Sequence, residues 1–358
     1  MNNSSELVCT FVTKKKINYK KIINFFSKIQ NTNDYKILSN RALDLYCDDI
    51  SKKNKERLRN FCFKNKIDIC IQLVKWRKKK INYKKIINFF SKIQNTNDYK
   101  ILSNRALDLY CDDISKKNKE RLRNFCFKNK IDICIQLVKW RKKKIFLADM
   151  DATMIKDETL DNLVKFAGIK VDIDKLSKLA MDGKISLRDT LKFRVSYLKG
   201  KSTKLIKQVI NKIRFNEGSK ILLKTLNKNG YHTSLVTGGF QPISTYVGKF
   251  LSFKKVISNR FVIKNNKFTG EYIPITGRQN SKLYYLNEIC KKKKLNKSKD
   301  AISVGDGAND LGMLENSGLG IGYYPHSIVK KAVQNHIQFT DLKTILYYLG
   351  FTEKEFSK

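Results

Sequence analysis

Apolar residues fall into two regimes along the chain. Beyond residue 142, short and nearly continuous apolar runs recur, each cut off by small or acidic residues. Ile145-Phe-Leu-Ala148 stops at Asp149, Tyr231 to Val236 stops at Thr237-Gly238-Gly239, and Ala301 to Val304 runs into Gly305-Asp306-Gly307-Ala308-Asn309-Asp310. Such runs, without polar alternation, predict strands buried on both faces, as in a parallel sheet. Between them the pattern is helical. Lys156 to Arg214 reads as helices broken at Gly168, Gly183 and Gly200, Glu217-Gly218 opens a helix through Asn227, and another spans Ser281 to Ile289. Lys254 to Thr276 alternates about Asn265-Asn266 and predicts a β-hairpin. The expectation is an α/β fold with a parallel core sheet. Its acids stand at the C-terminal mouths of strands, where open sheets bind ligands.

Before residue 142 the pattern repeats. Residues 14–77 recur unchanged as 78–141, and the tetrapeptide Lys-Lys-Lys-Ile stands at 14, 78 and 142. Repeats kept for an architecture drift at exposed positions, whereas this copy retains every surface lysine, so the duplication is either recent or a product of sequence assembly. One unit predicts a helix over Ile22 to Ile29, a strand over Ala42 to Tyr46, a helix over Lys55 to Phe63 and a strand over Ile67 to Val74. Leu7 to Val12 forms a strand ahead of them. Three regions follow: 1–77, a small α/β region; 78–141, its duplicate; and 142–358, the part that carries the chemistry.

Charge changes the picture less than its size suggests. The formal net charge is +42, with 74 basic residues. Most of these are lysines spread over the whole chain among many Asn and Ile, the residue usage of an AT-rich genome, so no specific nucleic-acid partner is expected. The 8 cysteines show no C-x-x-C spacing and read as small buried thiols. There is no apolar run of membrane-spanning length and no basic-then-apolar export signal at Met1, so the expected location is cytoplasmic, without membrane contact.

The three strand ends offer acids, a hydroxyl and glycine-freed backbone donors, with Lys282 opening a helix nearby. Such a set suits phosphoryl transfer. Carboxylates hold Mg²⁺, while lysine, hydroxyl and N–H groups neutralise the transferring group. One carboxylate can act as nucleophile and a second as acid and base.

Asp149-Met-Asp-Ala-Thr153, Thr237-Gly-Gly, Lys282 and Gly305-Asp-Gly-Ala-Asn-Asp310, in this order, resemble the four motifs of the haloacid dehalogenase superfamily. Glu158 in Asp-Glu-Thr-Leu-Asp, Met181-Asp-Gly-Lys, Arg194-Val-Ser, Thr237-Gly-Gly-Phe240 and Lys267-Phe-Thr-Gly270 narrow the likeness to its phosphoserine phosphatases, over about residues 142–340. The resemblance implies a Rossmann-like core with a helical cap over about 156–214, preceded by a region that looks like an ACT-type domain. It implies Mg²⁺-dependent hydrolysis of O-phospho-L-serine, the last step of serine biosynthesis.

It also implies roles. Asp149 is the nucleophile and Asp151 the acid and base. Asp149, the Asp151 carbonyl and Asp306 hold Mg²⁺. Thr237, Gly238, Lys282 and Asn309 bind the phosphate, Glu158, Met181 and Arg194 bind the serine head group, and Asp310 orients the metal shell or Lys282. Ala152 and Thr237 stand where that family more often has serine. Another small phosphoester as substrate, or a lysine-rich nucleic-acid-binding protein, remain alternatives at this point. A homodimer is the candidate assembly.

Overall fold

A computed structural model describes residues 7–12, 34–39, 42–47, 68–73, 83–93, 98–111, 114–169, 187–275 and 280–357. The chain divides into two compact units, Met1–Phe89 with Asn104–Ala106, and Phe90–Ser103 with Leu107–Lys358.

In the first unit, β1 (Leu7–Val12), β2 (Asp34–Ser39), β3 (Ala42–Cys47) and β4 (Asp68–Leu73) form an antiparallel sheet in the order β2-β3-β1-β4. Strand β2 is absent from the sequence reading, because its polar ends leave only Tyr35, Ile37 and Leu38 as an apolar signal. The helices expected over Ile22 to Ile29 and Lys55 to Phe63 lie outside the described residues.

The same sequence in the duplicate gives α1 (Tyr83–Ser91), β5 (Asp98–Ser103), β6 (Ala106–Tyr110) and α2 (Lys116–Lys128), the last capped by the Ser115 hydroxyl accepting from Asn118 N–H. One segment departs from its twin. Asp68–Leu73 is a strand paired with β1, whereas the identical Asp132–Leu137 lies outside any sheet. There the Asp132 carboxylate accepts from the N–H groups of Gln338 and Phe339 and from the Thr340 hydroxyl, while the Gln136 amide donates to the Tyr348 carbonyl. Partners of this kind override strand propensity. Arg141 completes the attachment, forking onto Asp108 at 2.6 and 2.7 Å and donating to the carbonyls of Tyr347 and Tyr348.

The rest of the second unit is built on a seven-stranded sheet. Its strands are β7 (Ile145–Ala148), β8 (His232–Gln241), β9 (Lys255–Lys264), β10 (Lys267–Ile273), β11 (Ala301–Gly305), β12 (Leu319–Tyr323) and β13 (Asn335–Ile337), in the order β10-β9-β8-β7-β11-β12-β13. All neighbours are parallel except the β9–β10 hairpin, which turns at Asn265 and Asn266 with φ of 49° and 57°.

The central strand β7 is fully buried along its length. Phe146 and Ala148 face a core that includes Leu163 and Val164 of α3 (Thr159–Phe166), Val195 of α4 (Leu187–Ser196), Val209 of α5 (Lys204–Lys212) and Leu222 of α6 (Ser219–Lys228). Ile145 and Leu147 face the other core, with Leu286 and Ile289 of α8 (Ser281–Lys293), which follows α7 (Ile243–Leu251) in the chain. Helices therefore cover both faces, which explains the unbroken apolar runs. From β7 the chain passes first to β8 on one side and later to β11 on the other. This reversal opens a crevice at the C-terminal ends of the three strands.

Between β7 and β8 the described residues form α3, α4, α5 and α6, the first three preceding the return to the core. Gly168 and Gly200, at φ of 72° and 77°, end segments in the left-handed conformation that glycine tolerates. Gly183 falls outside the described residues.

Candidate active site

The β7 ladder runs straight into the site. The Asp149 N–H donates to the Val304 carbonyl of β11 at 3.0 Å, so this residue is fixed as if still in the sheet. Its carboxylate is buried, and Oδ1 lies 2.6 Å from Lys282 Nζ. Lys282 enters from the first turn of α8, is itself buried, and reaches Asp310 Oδ1 at 2.5 Å. The other Asp310 oxygen accepts the N–H groups of Asp306 and Gly307, each at 3.1 Å. Asp310 thus spends both oxygens on holding the turn after β11 and the lysine. A side chain at Gly305 would collide with the Asp310 carboxylate.

Asp306 stands beside these residues, with the Thr153 hydroxyl donating to its Oδ1 at 3.3 Å. His326 Nε2 lies 3.5 Å from Asp306 Oδ2. Carboxylate oxygens of Asp149, Asp306 and Asp310 all lie within 4.8 Å of one another.

Asp151 is half-buried. The N–H of Thr159 donates to Oδ1 at 3.0 Å and its hydroxyl to Oδ2 at 3.3 Å, so the first residue of α3 aims the second acid. Thr159 escaped the sequence reading. The available signal was a hydroxyl at a helix start eight residues beyond the acid.

On β8, Thr237 is buried and its hydroxyl accepts the Gly239 N–H at 2.9 Å. The sequence had pointed to Gly238, which has open space where a side chain would stand and whose carbonyl accepts from Asn259. Gly239 is the constrained glycine: a Cβ there would meet Met150 Cε at 2.7 Å and Asp151 Oδ2 at 3.2 Å. Asn309 is exposed at the crevice rim.

Arg194 on α4 and Asp161 on α3 form an ion pair at 3.4 Å. Glu158, at the start of α3, is within electrostatic reach of Arg194 and Lys282. Met181 lies outside the described residues. The remaining expected residues, on β7, β8, β11, α3, α4 and α8, come together at one end of the sheet.

Charge at this end is unbalanced. Among the described residues, a single buried ammonium, that of Lys282, faces Asp149, Asp151, Asp306, Asp310 and the nearby Glu158. Burial and then the charge of Asp310 push Asp149 up to about 7 despite Lys282, and push Asp306 up to about 7 as well. Asp151 is raised well above the usual carboxylate range by burial, then by Glu158 and Asp149. The protein around Glu158, with Asp161 and Asp149, lifts its carboxyl to about 7 although the side chain is open to solvent. Lys282 is held protonated because the attraction of Asp149 and Asp310 outweighs its burial.

Residues 146–315 match the haloacid dehalogenase-like hydrolase family. The chain is 33% identical over 209 residues to a phosphoserine phosphatase of Methanocaldococcus jannaschii, covering 58% of this chain and 99% of that protein. It is 36% identical over 219 residues to a probable phosphoserine phosphatase of Schizosaccharomyces pombe, covering 61% and 73%. A solved substrate-bound phosphoserine phosphatase complex superposes with a TM-score of 0.54 at 32% identity, over 58% of this chain and 98% of that one. With its acids, lysine and glycines gathered at the same sheet end in the order those motifs require, the chain belongs to the phosphoserine phosphatases of the haloacid dehalogenase-like hydrolases.

Proposed function

We propose that the protein hydrolyses O-phospho-L-serine to serine and phosphate, as a phosphoric monoester hydrolase working through an aspartyl-phosphate on Asp149. The observation that carries this is the pair of acids at the mouth of β7. One is fixed by the sheet and neutralised by Lys282, and the other is kept protonatable and aimed by Thr159.

The charge imbalance suits a divalent cation, and an all-oxygen donor set suits Mg²⁺. Asp149, Asp306 and the Asp151 carbonyl would hold it. Asp310, with both oxygens engaged, would orient Asp306 and Lys282 instead. Bound there, the cation would offset negative charge on the phosphoryl oxygens.

The protein's own groups account for the steps. Asp149 attacks phosphorus as the anion, while Lys282 stays charged and draws electron density from the transferring group. Asp151 donates its proton to the departing serine oxygen, for which its raised pKa prepares it. It then takes a proton from the water that cleaves the aspartyl-phosphate. Thr237, the adjoining glycine amides, Lys282 and Asn309 bind the phosphate. Arg194 pairs with the substrate carboxylate and Glu158 with its ammonium. Met181 adds an apolar wall, as its counterpart motif suggests. Residues 1–77 are ACT-like and 142–358 form the phosphatase part, with its cap over about 156–214. No helix among the described residues is long and apolar enough to cross a membrane.

The test is phosphate release with Mg²⁺ from O-phospho-L-serine beside a phosphoester lacking the amino and carboxylate groups. A preference of two or more orders of magnitude, about 3 kcal/mol, is expected. Equal rates would leave a phosphatase of other specificity. Full activity in Asp149→Asn would refute the mechanism.

A further inference from the structure

The chain leaves the core for α3 around Lys156–Glu158 and returns around Arg214–Asn216, and these two crossings are sewn together. The Lys156 N–H donates to the Arg214 carbonyl at 2.8 Å, Ile155 bridges Phe215, and the Asn216 N–H donates to the Met154 carbonyl at 3.0 Å. Side chains add more. The buried Asp157 carboxylate accepts from the Arg214 backbone N–H at 2.7 Å, from Nε at 3.1 Å and from Nη2 at 2.8 Å. The Asn216 amide donates to the carbonyls of Thr153 and Ile155 at 2.8 and 3.1 Å.

The Arg214 side chain is 68% exposed. It fills no core, so the role of its guanidinium lies in the fork it closes on Asp157, a geometry lysine cannot reproduce. Asp157 occupies a narrow stretch of chain. Its carbonyl accepts from Ala152 N–H at 3.4 Å, next to Asp151, and the residue after it is Glu158.

We propose that Arg214, acting through Asp157, is a positioning residue that holds Glu158 at the substrate head group and so contributes to selectivity. Arg214 stands outside the motifs that identify the family, and Asp157 opens the Asp-Glu-Thr-Leu-Asp stretch without a role of its own there. The inference rests on the reading above only in requiring that Glu158 meet the substrate ammonium.

The experiment uses the full chain with Mg²⁺ and measures kcat and KM for O-phospho-L-serine and for p-nitrophenyl phosphate, together with Tm. The aryl ester has no head group, and its leaving group departs without a proton, so it reports the phosphoryl chemistry alone. Arg214→Met is expected to raise KM for phosphoserine at least fivefold, while kcat/KM for the aryl ester stays within twofold. Arg214→Lys should fall between. Asp157→Asn should shift the same KM, and the double variant should be no worse than the poorer single one, because both residues serve one contact.

Equal losses on both esters would mean that the pair only supports the fold, and unchanged KM values would remove its role; either overturns the inference. So would multiplied effects in the double variant. An unmodified enzyme indifferent to the head group would overturn the phosphoserine reading along with this one. An intact preference in Arg214→Met would sink this inference alone.

Discussion

Replacing Lys282 by methionine removes the one ammonium shared by Asp149 and Asp310 while keeping the volume of its buried stem. Both contacts are short, 2.6 and 2.5 Å, and all three side chains are buried. Removing one partner of such a group leaves uncompensated buried charge, at a cost of about 3–5 kcal/mol. That cost depends on pH. Asp149 is already pushed up to about 7 with the lysine beside it, and losing the lysine moves it higher. A carboxyl whose folded value is raised keeps its stability contribution below the unfolded value near ~4 and loses it as pH rises through the folded value. Lys282→Met should therefore be destabilised by about 3–5 kcal/mol at pH ~8, and by about 1 kcal/mol less at pH ~5, because Asp149 stands at about 7 even with the lysine present and the two proteins diverge only above that pH. Urea unfolding in chelator at the two pH values measures this. The accompanying loss in kcat should reach about 10²–10³-fold. A destabilisation below ~1 kcal/mol, or one equal at both pH values, would refute the account of a charge-compensated lysine.

Further outcomes follow from the same site. Gly239→Ala forces a methyl toward Met150 Cε and Asp151 Oδ2, so kcat should drop at least tenfold while urea unfolding changes little; parental kcat would show that the β8 turn yields freely. Because Asp149 and Asp306 are both pushed up to about 7, Mg²⁺ must displace protons to bind, and its affinity should rise between pH ~6 and ~8 with proton release. Calorimetry in buffers of different ionisation enthalpy would detect that release, and a pH-independent affinity would contradict it. Removing residues 78–141 should leave kcat/KM within about threefold, a change under ~1 kcal/mol; a larger loss would make the second copy part of the working enzyme.

The parallel core was legible because a strand buried on both faces has no polar alternation, as at Ile145 to Ala148. The hairpin was legible because Asn265 and Asn266 are residues that tolerate positive φ. Acids at strand mouths pointed to the crevice before any geometry was known. What escaped detection depends on tertiary contact. Thr159 matters because α3 begins against Asp151, and Gly239 is constrained because Met150 packs against it. The Asp157–Arg214 pair joins residues far apart in sequence. In a chain this rich in lysine, Lys282 itself stood out only through its register with the other motifs.

Asp68–Leu73 and Asp132–Leu137 are the same six residues in two conformations, one hydrogen-bonded to β1 and one attached to residues 338–348. Because the copies are identical, excising either one yields the same polypeptide. A chain with one copy would own a single such hexapeptide, for which β1 and the C-terminal segment would compete. With two copies each set of partners has its own segment, and a substitution in one leaves the other unchanged. In the second copy, Asp132 and Gln136 should resist substitution, because their side chains hold that segment to residues 338–348.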